Sequence, residues 1–219
     1  MLSKKIMILI VSIVLWLWIS AGYAGAVRAP DPVDSSIFND IQKGGYILYF
    51  RHGEATIGED QPFVDLNNCN TQRNLSLNGK KQASLLGEIF IKMNIPVYFP
   101  VISSPYCRAR ETAEIAFGRQ NVVIEPSLQN IAKLSQTQIT NEQKQNILSI
   151  FSKLIEKQPP RGTNFIIVGH SFPTGEALGD IPYMGAVVIK PKGPGKGYDF
   201  IMKISLIEFM KWSNLTDRR

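Results

Sequence analysis

The chain has two histidines, His52 and His170, and each directly follows an apolar run. The first run is YILYF, followed by Arg51-His52-Gly53-Glu54; the second is FIIVG, followed by His170-Ser171. A third run, VIS, leads into Ser104-Pro105-Tyr106-Cys107-Arg108. Three candidate strand exits thus carry two imidazoles and two guanidiniums. A neutral imidazole is a nucleophile, and phosphorus is an electrophile it can attack. The obstacle is the negative charge of phosphate. Guanidinium groups bind phosphate oxygens in a planar fork, stay charged, and stabilise charge on a transferring group. Nearby positive charge also disfavours imidazolium, which keeps a nucleophilic ring neutral. Gly53 is expected to let the backbone approach the ligand closely. Each fragment alone is weak: Arg-His-Gly recurs by chance, a histidine after a strand can be a core group, and Ser104 can merely cap a helix. Together, at equivalent positions, they predict phosphoryl transfer, with His52 as nucleophile and Arg51, Arg108 and His170 around the phosphate.

The elements that must position these groups alternate along the chain. A helix is expected over 36–43, a buried strand over 46–50, and a long aperiodic loop over 53–77. Asn78 is expected to cap a helix reaching about Met93. A strand over 97–103 follows, then a helix begun by the Ser104 hydroxyl and Pro105 and ended at Gly118. A short strand over 122–124, a helix over 141–157 and a strand over 163–168 come next. Strands over 186–190 and 200–204 precede a last helix to Trp212, opened by a capping box of Ser205 and Glu208. This alternation predicts one three-layer α/β/α domain with a mostly parallel sheet. Ligands bind such sheets beyond the carboxyl ends of the strands. The aperiodic stretches 54–72 and 125–140 are expected at the mouth of the pocket.

Residues 1–26 read separately, as a secretory signal: Lys4 and Lys5, an apolar core, then small residues near Ala24 and Ala26. The alternative is an uncleaved anchor, which would bring the domain close to a membrane. Either way, residues 27–219 form a domain expected outside the cytoplasm, in the periplasm or secreted. Removing Lys4 and Lys5 takes the net charge from +6 to +4. That modest, scattered excess suits an anionic substrate and lacks the basic stripe of a nucleic-acid binder. In an oxidising compartment Cys69 and Cys107 suggest a disulfide, with two free thiols as the alternative. No metal or other cofactor is expected. A metal site of His52, His170, Cys69 and Cys107 lacks ligand spacing and would put a cation beside two arginines.

Four segments carry a family resemblance: YFRHGEA at 49–55, RNLSLNGKKQA at 73–83, SSPYCRARETA at 103–113 and VGHSF at 168–172. In this order the chain resembles the histidine phosphatase, or phosphoglycerate mutase-like, superfamily. The resemblance implies a phosphohistidine intermediate on His52 and a phosphate pocket of Arg51, Arg108 and His170. CNTQRNLS and SPYCRARETA are similar to the small exported branch that includes the lipopolysaccharide core heptose phosphatase. That points to a phosphorylated small molecule or sugar of the cell envelope as substrate.

The resemblance also exposes departures. Mutases of the superfamily carry a glutamate acid in a segment after the third strand, where Gln129 and Asn130 stand here. Glu125 and Glu54 are the acidic candidates left, with a turn role for Glu125 and a substrate or Arg51 contact for Glu54 as alternatives. Ser171, with Gly53, Glu54 and Arg73, is a candidate for substrate binding; Ser171 replaces the aspartate of the acid-phosphatase branch. Arg73 reads equally as a surface residue, and Arg110 as solvent-facing. A phosphate-binding scaffold that has lost turnover is the competing reading of the same pocket.

Overall fold

The structure, a computed structural model, describes residues 36–136 and 138–215. Residues 1–26, expected to be a signal or anchor, and the start of the following expected linker lie outside the described residues. Among the described residues, no helix is long and apolar enough to cross a membrane.

The elements run α1 (Ser36–Lys43), β1 (Ile47–Arg51), α2 (Leu77–Lys92), β2 (Val101–Ser103), α3 (Cys107–Phe117) and β3 (Val122–Ile124). After a long 3₁₀ segment (Pro126–Ser135) come α4 (Asn141–Ile155), β4 (Phe165–Gly169), β5 (Ala186–Pro191), β6 (Tyr198–Ile204) and α5 (Leu206–Leu215). The six strands form one sheet in the order β3-β2-β4-β1-β5-β6. Pairs β3–β2, β2–β4 and β4–β1 are parallel; β1–β5 and β5–β6 are antiparallel.

β1 shows why the sheet needs helices on both faces. Its residues 47–50 are fully buried, and their side chains alternate between two cores. Ile47 and Tyr49 pack with Ile147, Phe151 and Leu154 of α4 and with Leu128, Ile131 and Leu134 of the 3₁₀ segment. Phe50 points the other way, 6.0 Å from Phe90 of α2 and 5.9 Å from Phe209 of α5 between ring centroids. Phe90 in turn meets Phe117 of α3 at 5.2 Å, and Phe38 of α1 stacks on Trp212 at 4.1 Å. Each fully buried side chain of this size contributes about 2–3 kcal/mol of transfer free energy. Both faces being apolar, the strand reads as a continuous hydrophobic run rather than an alternating one.

Three local expectations are corrected. The cap of α2 is Ser76, whose Oγ accepts the Gly79 N–H at 2.9 Å, and Asn78 is inside the helix. Ser104 does not cap α3: the helix begins at Cys107, and the Cys107 N–H is received by the Gln72 side-chain oxygen at 2.8 Å. A capping group from a distant loop thus displaced the local one. β2 is shorter than 97–103, because the chain pairs with Asn164 at Val97 and then passes through Pro100, which has no N–H for the ladder. The 3₁₀ segment over Pro126–Ser135 was not expected at all.

Candidate active site

β1, β2 and β4 are parallel neighbours, so their carboxyl ends open on the same edge of the sheet. Arg51 closes β1 and His52 follows it; His170 follows β4; Arg108 lies in the first turn of α3, just after β2. All four line one pocket of about 450 Å³, together with Asp60, Arg73, Tyr106, Gln136 and Ser171.

His52 is 3% exposed. Its backbone is tied to β4 by an N–H donated to the Gly169 carbonyl at 3.0 Å. Its Nδ1 lies 2.7 Å from the Gly53 carbonyl oxygen. A carbonyl can only accept, so Nδ1 carries the proton and Nε2 keeps its lone pair. Burial, then the charge of Arg108 and those of Arg51 and Arg73, push the imidazole down from 6.5 to about 3; the Gly53 hydrogen bond opposes this only in part. The ring is therefore neutral across the physiological range, and Nε2 is a free base.

His170 is held just as firmly. The Tyr49 hydroxyl accepts the His170 N–H at 2.9 Å and donates to the His170 carbonyl at 2.8 Å. Gly169 is required for this, because a Cβ there would lie 2.3 Å from the Tyr49 oxygen. Nε2 of His170 is 2.8 Å from Ser104 Oγ, which is what occupies the serine expected as a cap. Burial, followed by the neighbouring His52 and the charges of Arg108, Arg51 and Arg73, lowers the His170 pKa well below its usual value. The two imidazole rings are 5.5 Å apart.

Three arginines surround them. Arg51 donates from Nη1 to the Ile181 carbonyl at 2.7 Å and lies 3.9 Å from the Tyr183 ring centroid. Arg108, 3% exposed, makes a two-pronged contact with Asp60, at 2.8 and 3.2 Å, and lies 4.3 Å from the Tyr106 ring. Arg73 donates its backbone N–H to Asp60 Oδ1 at 2.7 Å, and its carbonyl accepts from Arg108 at 3.3 Å. The buried Nε atoms of all three have no hydrogen-bond partner. Buried donors are normally paired, so these three arginines, all lining one pocket, keep hydrogen-bonding capacity that the chain does not use. An oxyanion with several oxygens is the acceptor that fits three guanidiniums.

The remaining candidates are placed differently. Gly53 is pressed against α2, not a ligand: a Cβ there would meet the Gly79 carbonyl oxygen at 2.7 Å. Glu54 turns outward, accepting from Ser76 Oγ at 2.7 Å and Asn78 Nδ2 at 2.9 Å, and those bonds hold its carboxyl below the usual range. It does not line the pocket. Glu125 caps the 3₁₀ segment through Ser127, at 3.0 Å to its N–H and 2.7 Å to its hydroxyl, and also lies away from the lining. Ser171 lines the pocket while donating to Asp180 at 2.8 Å and accepting the Ile181 N–H at 2.8 Å. It thereby fixes the carbonyl that holds Arg51. Cys69 and Cys107 form a disulfide, with Cα atoms 5.7 Å apart, which removes both thiols from the four-ligand metal alternative. Arg110 leans over this bridge, 3.5 Å from Cys69 Sγ, rather than pointing freely to solvent.

The family model for the histidine phosphatase superfamily (branch 1) matches residues 47–171. The chain belongs to the histidine phosphatase superfamily. Among solved structures, the native mycobacterial glucosyl-3-phosphoglycerate phosphatase matches at 15% identity with a TM-score of 0.50, over 73% of this chain and 98% of that one. A phosphoserine phosphatase from Entamoeba histolytica matches at 18% identity and a TM-score of 0.45, over 74% of this chain and 98% of that one. At 15% identity the likeness to the glucosyl-3-phosphoglycerate phosphatase is one of fold. No curated protein matches significantly.

Within this histidine phosphatase, sequence reasoning passed over four residues of the site. The sequence places Tyr49 in a strand core and Tyr106 ahead of a helix, and offers no local pattern that marks Tyr183 or Asp60. Asp60 stands in an aperiodic loop with Glu59 beside it, and only the fold reveals which of the two carboxylates turns inward. The signal available for Tyr106 was its position between Ser104 and Arg108, one residue before the helix that delivers the arginine.

Proposed function

We propose that this chain is a phosphomonoesterase that moves a phosphoryl group to His52 Nε2 and then to water. The observation that carries the reading is the pairing of a neutral, buried His52, its Nε2 lone pair free, with three buried guanidinium Nε–H groups that no protein atom receives. Arg51, Arg73 and Arg108 then hold the phosphate oxygens and stabilise charge as the phosphorus is attacked. His170, neutral and fixed by Tyr49 and Ser104, supplies a further polar contact beside His52. The reading extends to an exported enzyme acting on a phosphorylated sugar of the envelope, on the strength of the signal-like N-terminal sequence and of the similarity to the heptose phosphatase branch. The disulfide fits an oxidising compartment, and an uncleaved N-terminal segment would keep the enzyme near a membrane.

The test uses the purified chain and p-nitrophenyl phosphate without added metal. Hydrolysis is expected to persist in EDTA and to fall below about one thousandth in His52→Ala. A trapped phosphoenzyme should release its label in acid; acid-stable label would contradict a phosphohistidine. One observation favours the scaffold alternative: neither Glu54 nor Glu125 reaches the pocket as an acid, each being held by groups outside it. Phosphate binding with no turnover of any phosphomonoester would decide for it.

A further inference from the structure

A phosphatase of this kind needs a proton donor for the leaving group, and neither glutamate of the sequence reading reaches the pocket. Glu54 is bound to Ser76 and Asn78, and Glu125 to Ser127. The segment after β3, from which the superfamily's mutases draw their acid, contributes Ala132, Ser135 and Gln136 to the lining, none of them acidic. Among the described residues, the pocket wall contains one carboxyl group, that of Asp60.

We infer that Asp60 is the general acid and base of the reaction. This rests on the proposed function above. The geometry explains both its place and its control. Asp60 meets the fork of Arg108 with both oxygens, and the backbone of Arg73 secures it from the other side. Its loop is tied to the start of α3 twice over, by the Cys69–Cys107 bridge and by the Gln72 bond to the Cys107 N–H. The carboxyl group is thus anchored next to the arginine that a phosphate would seek. A carboxylate in a guanidinium fork makes the contacts that a phosphate edge makes. An arriving phosphate therefore displaces it, replacing a cation partner by an anion. Freed from the fork and still held by the Arg73 N–H, the carboxyl group is the proton-carrying group of the pocket wall, and it draws its proton from solvent.

The steps then balance. As Nε2 of His52 forms its bond to phosphorus and the ester P–O bond breaks, the Asp60 carboxyl gives its proton to the leaving oxygen, releasing an alcohol. The resulting carboxylate takes a proton from the water that attacks the phosphohistidine. The N–P bond breaks, inorganic phosphate leaves, and the carboxyl group gives the proton it took from water back to solvent as it returns to Arg108 as a carboxylate.

The test is single-turnover formation of the acid-labile phosphoenzyme from two esters. p-Nitrophenolate leaves without a proton, whereas the alkoxide of β-glycerophosphate needs one. Asp60→Asn should slow transfer from β-glycerophosphate by about 10²- to 10⁴-fold and transfer from p-nitrophenyl phosphate by less than about tenfold. Asp60→Glu should restore part of the alkyl-phosphate rate. The activated ester is the internal check on folding, because the same preparation must still form the phosphoenzyme from it. Equal losses on both esters would overturn the inference and leave Asp60 as a positioning residue for Arg108. A wild-type chain that forms no phosphoenzyme from either ester would instead sink the proposed function, and this inference with it.

Discussion

Replacing His52 with asparagine should flatten the acid limb of the folding equilibrium. In the folded chain burial, with the charges of Arg108, Arg51 and Arg73, drives this imidazole from 6.5 to about 3. Above pH 6.5 the ring is neutral whether the chain is folded or not, and its contribution is fully present. Between about 6.5 and 3 the unfolded ring binds a proton that the folded one refuses, so stability is lost as the pH falls. At about pH 5 the gap is about 1.5 units, and at 1.36 kcal/mol per unit the loss from this one group is about 2 kcal/mol. Urea unfolding at about pH 7.5 and about pH 5 measures it. Phosphate and sulfate must be left out of the buffer, since a bound anion would favour imidazolium and mask the effect. His170 is present in both proteins, and removing the His52 ring eases the lowering of its pKa, which acts in the same direction, so the quantity that matters is the difference between them. Wild type should lose about 2 kcal/mol more than His52→Asn over this interval. Parallel losses would refute the claim that the buried ring resists protonation. With it would go the physical basis for the proposed neutral nucleophile.

Three other perturbations probe the frame around the site. Tyr49→Phe leaves the His170 N–H and carbonyl without their shared partner, so it should lower unfolding free energy by about 1–3 kcal/mol and reduce kcat, read by urea titration and phosphatase assay. Removing the disulfide with Cys69→Ser and Cys107→Ser opens a 38-residue separation, for which chain entropy gives about 4 kcal/mol as the destabilisation to be seen in the melting curve. Arg108→Lys keeps the charge but loses the planar fork; phosphate should inhibit it at least about tenfold more weakly, with the melting temperature tracking folding separately.

The comparison of β1 with the loop that follows it shows where legibility ends. YILYF is apolar at every position, and a five-residue run of that kind fits a strand covered on both faces, so its place and the exit of Arg51 and His52 could be anticipated. The same held for FIIVG and His170. The errors gathered where a side chain had two eligible partners. Ser104 had a helix N-terminus beside it in sequence and His170 beside it in space, and the spatial partner prevailed. Glu54 was near His52 in sequence yet found Ser76 and Asn78.

Local order along the chain determined which residue types leave the strand ends, hence His52, two of the arginines and His170. Hydrophobic pattern is enough for this, because it records how each segment is buried and therefore where each segment stops. What tertiary structure alone decided was the inward turn of Asp60, the double grip of Tyr49 on His170, the cap lent by Gln72 and the outward turn of Glu54. Those are choices among competing hydrogen-bond partners brought together from distant parts of the chain. No periodicity encodes them, because they depend on which groups close packing leaves within reach.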